Sequence, residues 1–145
     1  MIFRFFTIWI LYLVIFHYIS SKIFSLPFLT FIVLFNGLYL SYINPKKYYI
    51  DFNDKSIIID GYKKILLDIF CHICPFLFIY KIYGIETFFN NWKIIPSLLL
   101  ILLYNYIYNP SIIYHININE FIILCISSIL SYYLLTFIIF SIKFN

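Results

Sequence analysis

The chain has 145 residues, of which 64% are hydrophobic, 24% aromatic and only 11% charged, with a mean hydropathy of +0.98. That is more apolar surface than a water-soluble domain of this length can bury, so the composition argues against a soluble enzyme and for lipid as the solvent. The net charge of +4 does not imply a nucleic-acid partner, because the Lys residues stand at the ends of apolar stretches, where their role is orientation.

A transmembrane helix needs ~20 mostly apolar residues to cross ~30 Å of hydrocarbon. Windows 5–21, 23–45, 94–119 and 121–142 are free of charge and all long enough, the first only just, and a fifth apolar stretch follows Lys64. The pattern predicts an all-α, polytopic integral membrane bundle, one domain over 1–145, with spans at 5–21, 23–43, 65–85, 94–108 and 121–142. A four-span chain is the alternative.

The first span opens after Arg4. A cleavable signal wants small residues at alternate positions before the cut; Tyr18 and Ile19 precede Ser20 and Ser21, which favours a retained anchor. His17 reads as a helix-packing or interfacial histidine. Pro27 sits in the first turn of the second span, where a missing amide donor costs little, and Asn44–Pro45 is a turn dipeptide.

Residues 44–64 form the one substantial polar connection. Tyr48 to Phe52 and Ser56 to Asp60 are β-favouring runs around Asn53, Asp54 and Lys55, which predicts a short β-hairpin-like loop. A lone hairpin is marginal in water, so this one is expected to lean on the membrane surface or a partner. Asp51, Asp54 and Asp60 lack the spacing of a calcium loop.

Beyond the third span, Glu86, Asn90, Asn91, Trp92 and Lys93 make a short loop in which Trp92 reads as an interfacial anchor. Pro96 lies in the first turn of the fourth span, and Asn109–Pro110 close it. Asn119 is the expected N-cap of the fifth span, with Glu120 at the positive end of its dipole. Arg4 and the Lys residues 46, 47, 55, 63 and 64 fall on one side, against Lys22, Lys81, Lys93 and Lys143 on the other. This bias predicts a cytoplasmic N-terminus and 44–64 loop, with the C-terminus across the membrane.

Ala and Gln are absent and Arg occurs once, whereas Ile, Phe, Tyr, Asn and Lys abound. AT-rich codons specify those residues, which suggests an AT-rich genome such as that of a large DNA virus or an intracellular parasite. The same bias accounts for the aromatic content without a binding surface. A pattern Y-x4-N-P-x3-Y recurs from Tyr39 and from Tyr104; with 15 Tyr in the chain, coincidence explains it more simply than a duplicated hairpin. Three Cys make no disulfide framework for an extracellular domain.

The stretch Lys64 to Lys81, KILLDIFCHICPFLFIYK, is the only apolar segment with ionisable groups inside it. Asp68, Cys71, His72, Cys74 and Pro75 fall within eight positions. On a helix, Asp68, Cys71 and His72 share a face, with Cys74 three residues on. Pro75 is the one proline that falls mid-span; it cannot donate to the Cys71 carbonyl and its ring crowds the preceding turn. This cluster is the candidate site.

Four readings of it stand open. The C-x-x-C at Cys71 and Cys74 resembles that of the vitamin K epoxide reductases and of the bacterial disulfide-forming quinone reductases, which implies thiol redox chemistry. Those families use a second, shuttle pair of cysteines, and here only Cys125 is left. Thiolates and imidazole with Asp68 suit zinc or copper, with His115 and Cys125 as the remaining donors. Buried ionisable groups also mark transport paths, for which Asp68, Lys81 and Asn105 are the candidates.

The structural reading has Asp68 neutralised near the boundary by Lys63 and Lys64, Lys81 snorkelling outward, and the cysteines filling helix contacts. No phosphate-cradling loop, nucleophile with a base, or paired-carboxylate site is present in the sequence. The main expectation is a non-enzymatic, multi-pass membrane protein of structural or interaction type. It needs no cofactor or metal, and its partners are the lipid bilayer and, through helix packing, itself or other membrane proteins. A channel and a thiol oxidoreductase are the alternatives.

Overall fold

The computed structural model describes residues 5–43, 48–52, 55–84, 91–109, 113–114 and 116–144. The Asn44–Pro45 turn, Asn53, Asp54, Glu86, Asn90, Pro110 and His115 lie outside them. The fold is predominantly helical. Its elements are α1 (Phe6–Ile15), α2 (His17–Ser20), α3 (Leu26–Tyr42), β1 (Tyr48–Phe52), β2 (Lys55–Ile59), α4 (Gly61–Asp68), a π-helical turn (Ile69–Ile73), α5 (Cys74–Tyr83), α6 (Ile94–Ile107) and α7 (Ile118–Phe144).

The expected first span is one apolar helix broken at Phe16, whose ψ of 34° leaves the helical range and separates α1 from α2. Ser20 Oγ donates to the carbonyls of Leu13 (2.6 Å) and Phe16 (3.0 Å), satisfying acceptors beside the break. Proline-27 lies in the first turn of α3 as its sequence position predicts. The strands β1 and β2 pair antiparallel, with Tyr48 opposite Ile59 and Phe52 opposite Lys55. The hairpin expected in 44–64 is therefore present.

From Gly61 to Tyr83 the chain is one helical run, passing through α4, the π turn and α5. Gly84 stops it at φ 70° and ψ −164°, a region essentially reserved for glycine. The last helix begins before its expected cap. It starts at Ile118, and the Oδ1 of Asn117 accepts from the Asn119 amide at 2.9 Å, so Asn117 caps the helix and Asn119 lies within its first turn. The misassignment has a simple origin: two asparagines stand two positions apart, and only the backbone turn decides which side chain faces the free amides.

Helix α3 is the hub, packed against α1, α4, the π turn, α5, α6 and α7. Small residues line its contacts. Ser25 and Ser97 are wholly buried, and the Ser25 amide donates to Ser97 Oγ at 2.9 Å, letting α3 and α6 approach closely. Phe28 and Phe31 of α3 meet Tyr132 of α7 with ring centroids 5.1 and 5.4 Å apart. On the opposite side Tyr104 receives Phe6 and Trp9 of α1 at 5.0 and 5.6 Å. Edge contacts of this kind add to the burial of large aromatic surfaces.

The distribution of polarity along α7 is inverted relative to a helix in water. Leu124, Ser128, Tyr132 and Thr136, spaced four apart, are buried, while Ile123, Ile126, Leu130, Leu134 and Phe137 are exposed. The buried hydroxyls of Ser128 and Thr136 donate to carbonyls three residues back in their own helix, both at 2.8 Å, so their burial leaves no orphan donor. Two helical runs, Gly61–Tyr83 and Ile118–Ile142, are long and apolar enough to cross a membrane; Phe6–Ile15, Leu26–Tyr42 and Ile94–Ile107 are apolar and shorter.

Tyr132 anchors the α3–α7 contact with no exposed surface. Tyr132→Ala should therefore destabilise the bundle by about 3–5 kcal/mol, the usual cost of deleting a buried aromatic. Reversible unfolding in mixed micelles measures it, with the outward-facing Leu134→Ala expected to cost far less.

Candidate functional site

The π turn explains how the segment around Pro75 is built. Proline at 75 brings no amide donor, so an unbroken α ladder would leave a carbonyl unpaired in the preceding turn. The helix instead widens over Ile69–Ile73, and the Cys74 amide donates five residues back to Ile69 O. Pro75 itself is buried in the first turn of α5.

The wider turn also redistributes the side chains expected to converge. Asp68 and His72 meet: Nδ1 of His72 lies 3.0 Å from Oδ1 of Asp68. Cys71 is half-buried, whereas Cys74 is exposed on the outside of the helix. A π turn takes about one residue more than an α turn, which carries Cys74 away from the face it would share with Cys71 on an ideal helix. The five candidates thus separate into a buried pair, a thiol beside a cavity, an outward thiol and a buried proline. Among the described residues no three His, Cys, Asp or Glu side chains come together to hold a metal ion.

Asp68 is buried inside the bundle at 1% exposure, beside His72 at 4%. A partner from another helix, which sequence reasoning missed, accounts for this: Ser41 of α3 directs its hydroxyl at both carboxylate oxygens, 2.8 and 2.7 Å away. The carbonyl of the same Ser41 accepts from Lys64 Nζ at 2.6 Å, and Lys64 also lies 4.7 Å above the Tyr42 ring. Ser41 thus stands between a cation and an anion four residues apart on the facing helix. The only advance signal was that Ser41 is a small polar residue near the end of an apolar span.

An ionised Asp68 is an acceptor only, so in its contact with His72 the Nδ1–H is the donor. Nε2 faces Thr7 Oγ1 of α1 at 3.4 Å. The polar path therefore runs from Lys64 through Ser41, Asp68 and His72 to Thr7, joining α1, α3, α4 and the π turn. Its fit depends on Gly37. A Cβ at that position would lie 2.6–2.7 Å from the His72 ring, so only glycine lets the imidazole lie against α3.

A second, half-buried polar set joins α2 to the end of α5. His17 Nδ1 lies 2.9 Å from the Tyr83 hydroxyl, which is also within 3.2 Å of Ser21 Oγ. The helix-packing role expected of His17 is the one it has. Lys81 is exposed, whereas Asp68 is buried. Tyr114 accepts from the Phe6 amide at 3.2 Å, and burial pushes its phenol above the ordinary value, keeping it a neutral O–H group.

Beside His72 lies a cavity of about 270 Å³. It is lined by α1, α3, the π turn, α6 and α7, with walls that are overwhelmingly apolar. Cys71, Cys125, Asn36 and Asn105 contribute the polar atoms that bear on its chemistry. The cysteine pair proposed from sequence for redox exchange is not the one gathered here: Cys71 and Cys125 line the cavity and Cys74 does not.

Comparison with protein-family models, with curated proteins and with solved structures finds no match.

Two substitutions check the polar path. Gly37→Ala should destabilise by about 1–3 kcal/mol through overpacking against His72, and combining it with His72→Ala should cost clearly less than the sum of the two single changes. Strict additivity in micellar unfolding would remove the contact. Ser41→Ala strips the carboxylate of its hydroxyl donor and should cost about 1–3 kcal/mol.

Proposed function

We propose that this chain is a small, five-span integral membrane protein without catalytic activity, which acts by packing its helices against itself or another membrane protein. The observation that carries this reading is the inverted polarity of the bundle. Asp68, His72, Ser41, Ser97, Ser128 and Thr136 are inside, while large aliphatic and aromatic side chains cover the outside of α4, α5, α6 and α7. In water such an exterior would aggregate; in hydrocarbon it is the solvated surface, and ionisable groups turn inward.

Helix length supports the interaction role. At ~1.5 Å per residue the 14 residues of α6 span about 21 Å and the 17 of α3 about 26 Å. Both fall short of ~30 Å of hydrocarbon, a mismatch relieved by local thinning of the bilayer or by association of helices. The Lys and Arg bias favours an N-terminus and a hairpin facing the cytoplasm. Neither alternative gains from the geometry. Asp68 is engaged by Ser41 and His72 while Lys81 points outward, and Cys74 is separated from the thiols at the cavity.

Five spans put the two termini on opposite sides. Tags at each end of the expressed chain, probed with an impermeant reagent on sealed vesicles, should label from opposite faces, and the protein should stay with the membrane in alkaline carbonate. Labelling from one face overturns the five-span count, and release by carbonate overturns membrane integration.

A further inference from the structure

The cavity next to His72 is a feature that helix packing alone does not require. Its volume of about 270 Å³ exceeds the ~150 Å³ of an apolar cavity known to accept benzene, and approaches the ~300 Å³ lower end of small-molecule sites. At ~30 Å³ per water-sized group it holds roughly nine or ten heavy atoms. Its walls, among them Phe6, Ile32, Val33, Ile101 and Leu124, offer little to ordered water.

Thr7, His72, Tyr104, Tyr114 and Ser128 also border the cavity, but two of its polar atoms stand apart. Asn36 on α3 and Asn105 on α6 both line the cavity, and the side-chain carbonyl oxygen of each is buried without a hydrogen-bond partner. A buried, unpaired amide oxygen costs about 1–3 kcal/mol, so two beside one cavity are a standing deficit that a bound donor would reduce. The neighbouring groups narrow the choice. Asp68, the nearby anion, is engaged by Ser41 and His72, and no Lys or Arg lines the cavity, so a charged head group would lack a counter-ion there.

We propose that this cavity is a binding site for an uncharged lipophilic alcohol of about ten heavy atoms, its hydroxyl held between Asn36 and Asn105 and its hydrocarbon body against the walls of α1, α3 and α7. The hydroxyl donates to one amide oxygen, and the hydrocarbon fills space that water would occupy poorly. The site lies among helices that present apolar surface outward, so an occupant dissolved in the bilayer and one arriving free in solution use the same chemistry.

The cysteines supply a built-in readout. Cys71 and Cys125 line the cavity, whereas Cys74 is exposed outside it. The full-length protein in micelles is alkylated with N-ethylmaleimide in the presence of nonanol or of decane, which has the same number of heavy atoms and no hydroxyl, and modification is read peptide by peptide. At a nonanol concentration ten times its Kd, alkylation of Cys71 and Cys125 should slow about tenfold while Cys74 is unchanged. Decane should protect far less, and Asn36→Leu with Asn105→Leu should abolish the difference between the two probes.

Thermal unfolding gives a second readout independent of thiol reactivity: nonanol should raise the midpoint of the wild type and not that of the double variant. Since leucine is close in shape to asparagine and removes the unpaired oxygens, the double variant should fold at least as well as the wild type. Equal protection and equal stabilisation by decane overturn recognition of a hydroxyl. No protection together with no shift in the wild type overturns the site. Nonanol incorporated into preformed vesicles, compared with nonanol added to the aqueous phase, distinguishes the two routes of entry.

Discussion

A carboxylate that is almost wholly buried must be satisfied from within, and Asp68 is satisfied by Ser41 on one neighbour and His72 on its own helix. That requirement organises the surrounding contacts. Ser41 has to face α4, which sets the rotation of α3; Gly37, one turn earlier, then lies beneath the imidazole. Thr7 of α1 completes the path at Nε2. Individual interhelical hydrogen bonds in a membrane contribute only ~0.6–2 kcal/mol, so the network is a weak glue. Breaking it is another matter, since an uncompensated buried charge costs ~3–5 kcal/mol. The asymmetry makes the network a device that selects one helix register over others.

The π turn and the cavity belong to the same geometry. Pro75 interrupts the amide ladder, the helix widens, and the side chains beyond it rotate relative to those before it. Asp68 precedes the widening and His72 lies within it, so they still meet, while Cys74 turns outward. The opening between α1, α3, the π turn, α6 and α7 lies where this irregular segment meets regular helices. Packing of ideal helices leaves few voids larger than a water molecule, and a widened turn is one physical reason for a larger one.

Much of the architecture was legible from residue order. Charge-free windows marked the apolar helices because long uncharged apolar runs pair their backbone amides within one segment. Prolines 27 and 96 fell in first turns, and β-branched and aromatic runs either side of Asn53 and Asp54 formed the hairpin. The cluster around Pro75 was recognisable as irregular for the right reason. Its internal grouping was not. Ideal helical spacing joins Cys71 to Cys74, and a single π turn undoes that; the Asn117 cap was missed because helix starts depend on a backbone turn that neighbouring asparagines do not distinguish.

What the sequence by itself determined is the elements: the apolar helices and the hairpin follow from composition and run length, which act locally, residue by residue. Only the tertiary structure decided the partners. That Asp68 belongs with Ser41 across 27 residues, that Gly37 must lack a side chain, and that Asn36 and Asn105 border one cavity with unpaired oxygens all follow from how helices rotate against one another. Rotation is set by the sum of many small packing contacts from distant parts of the chain, and no local pattern encodes it.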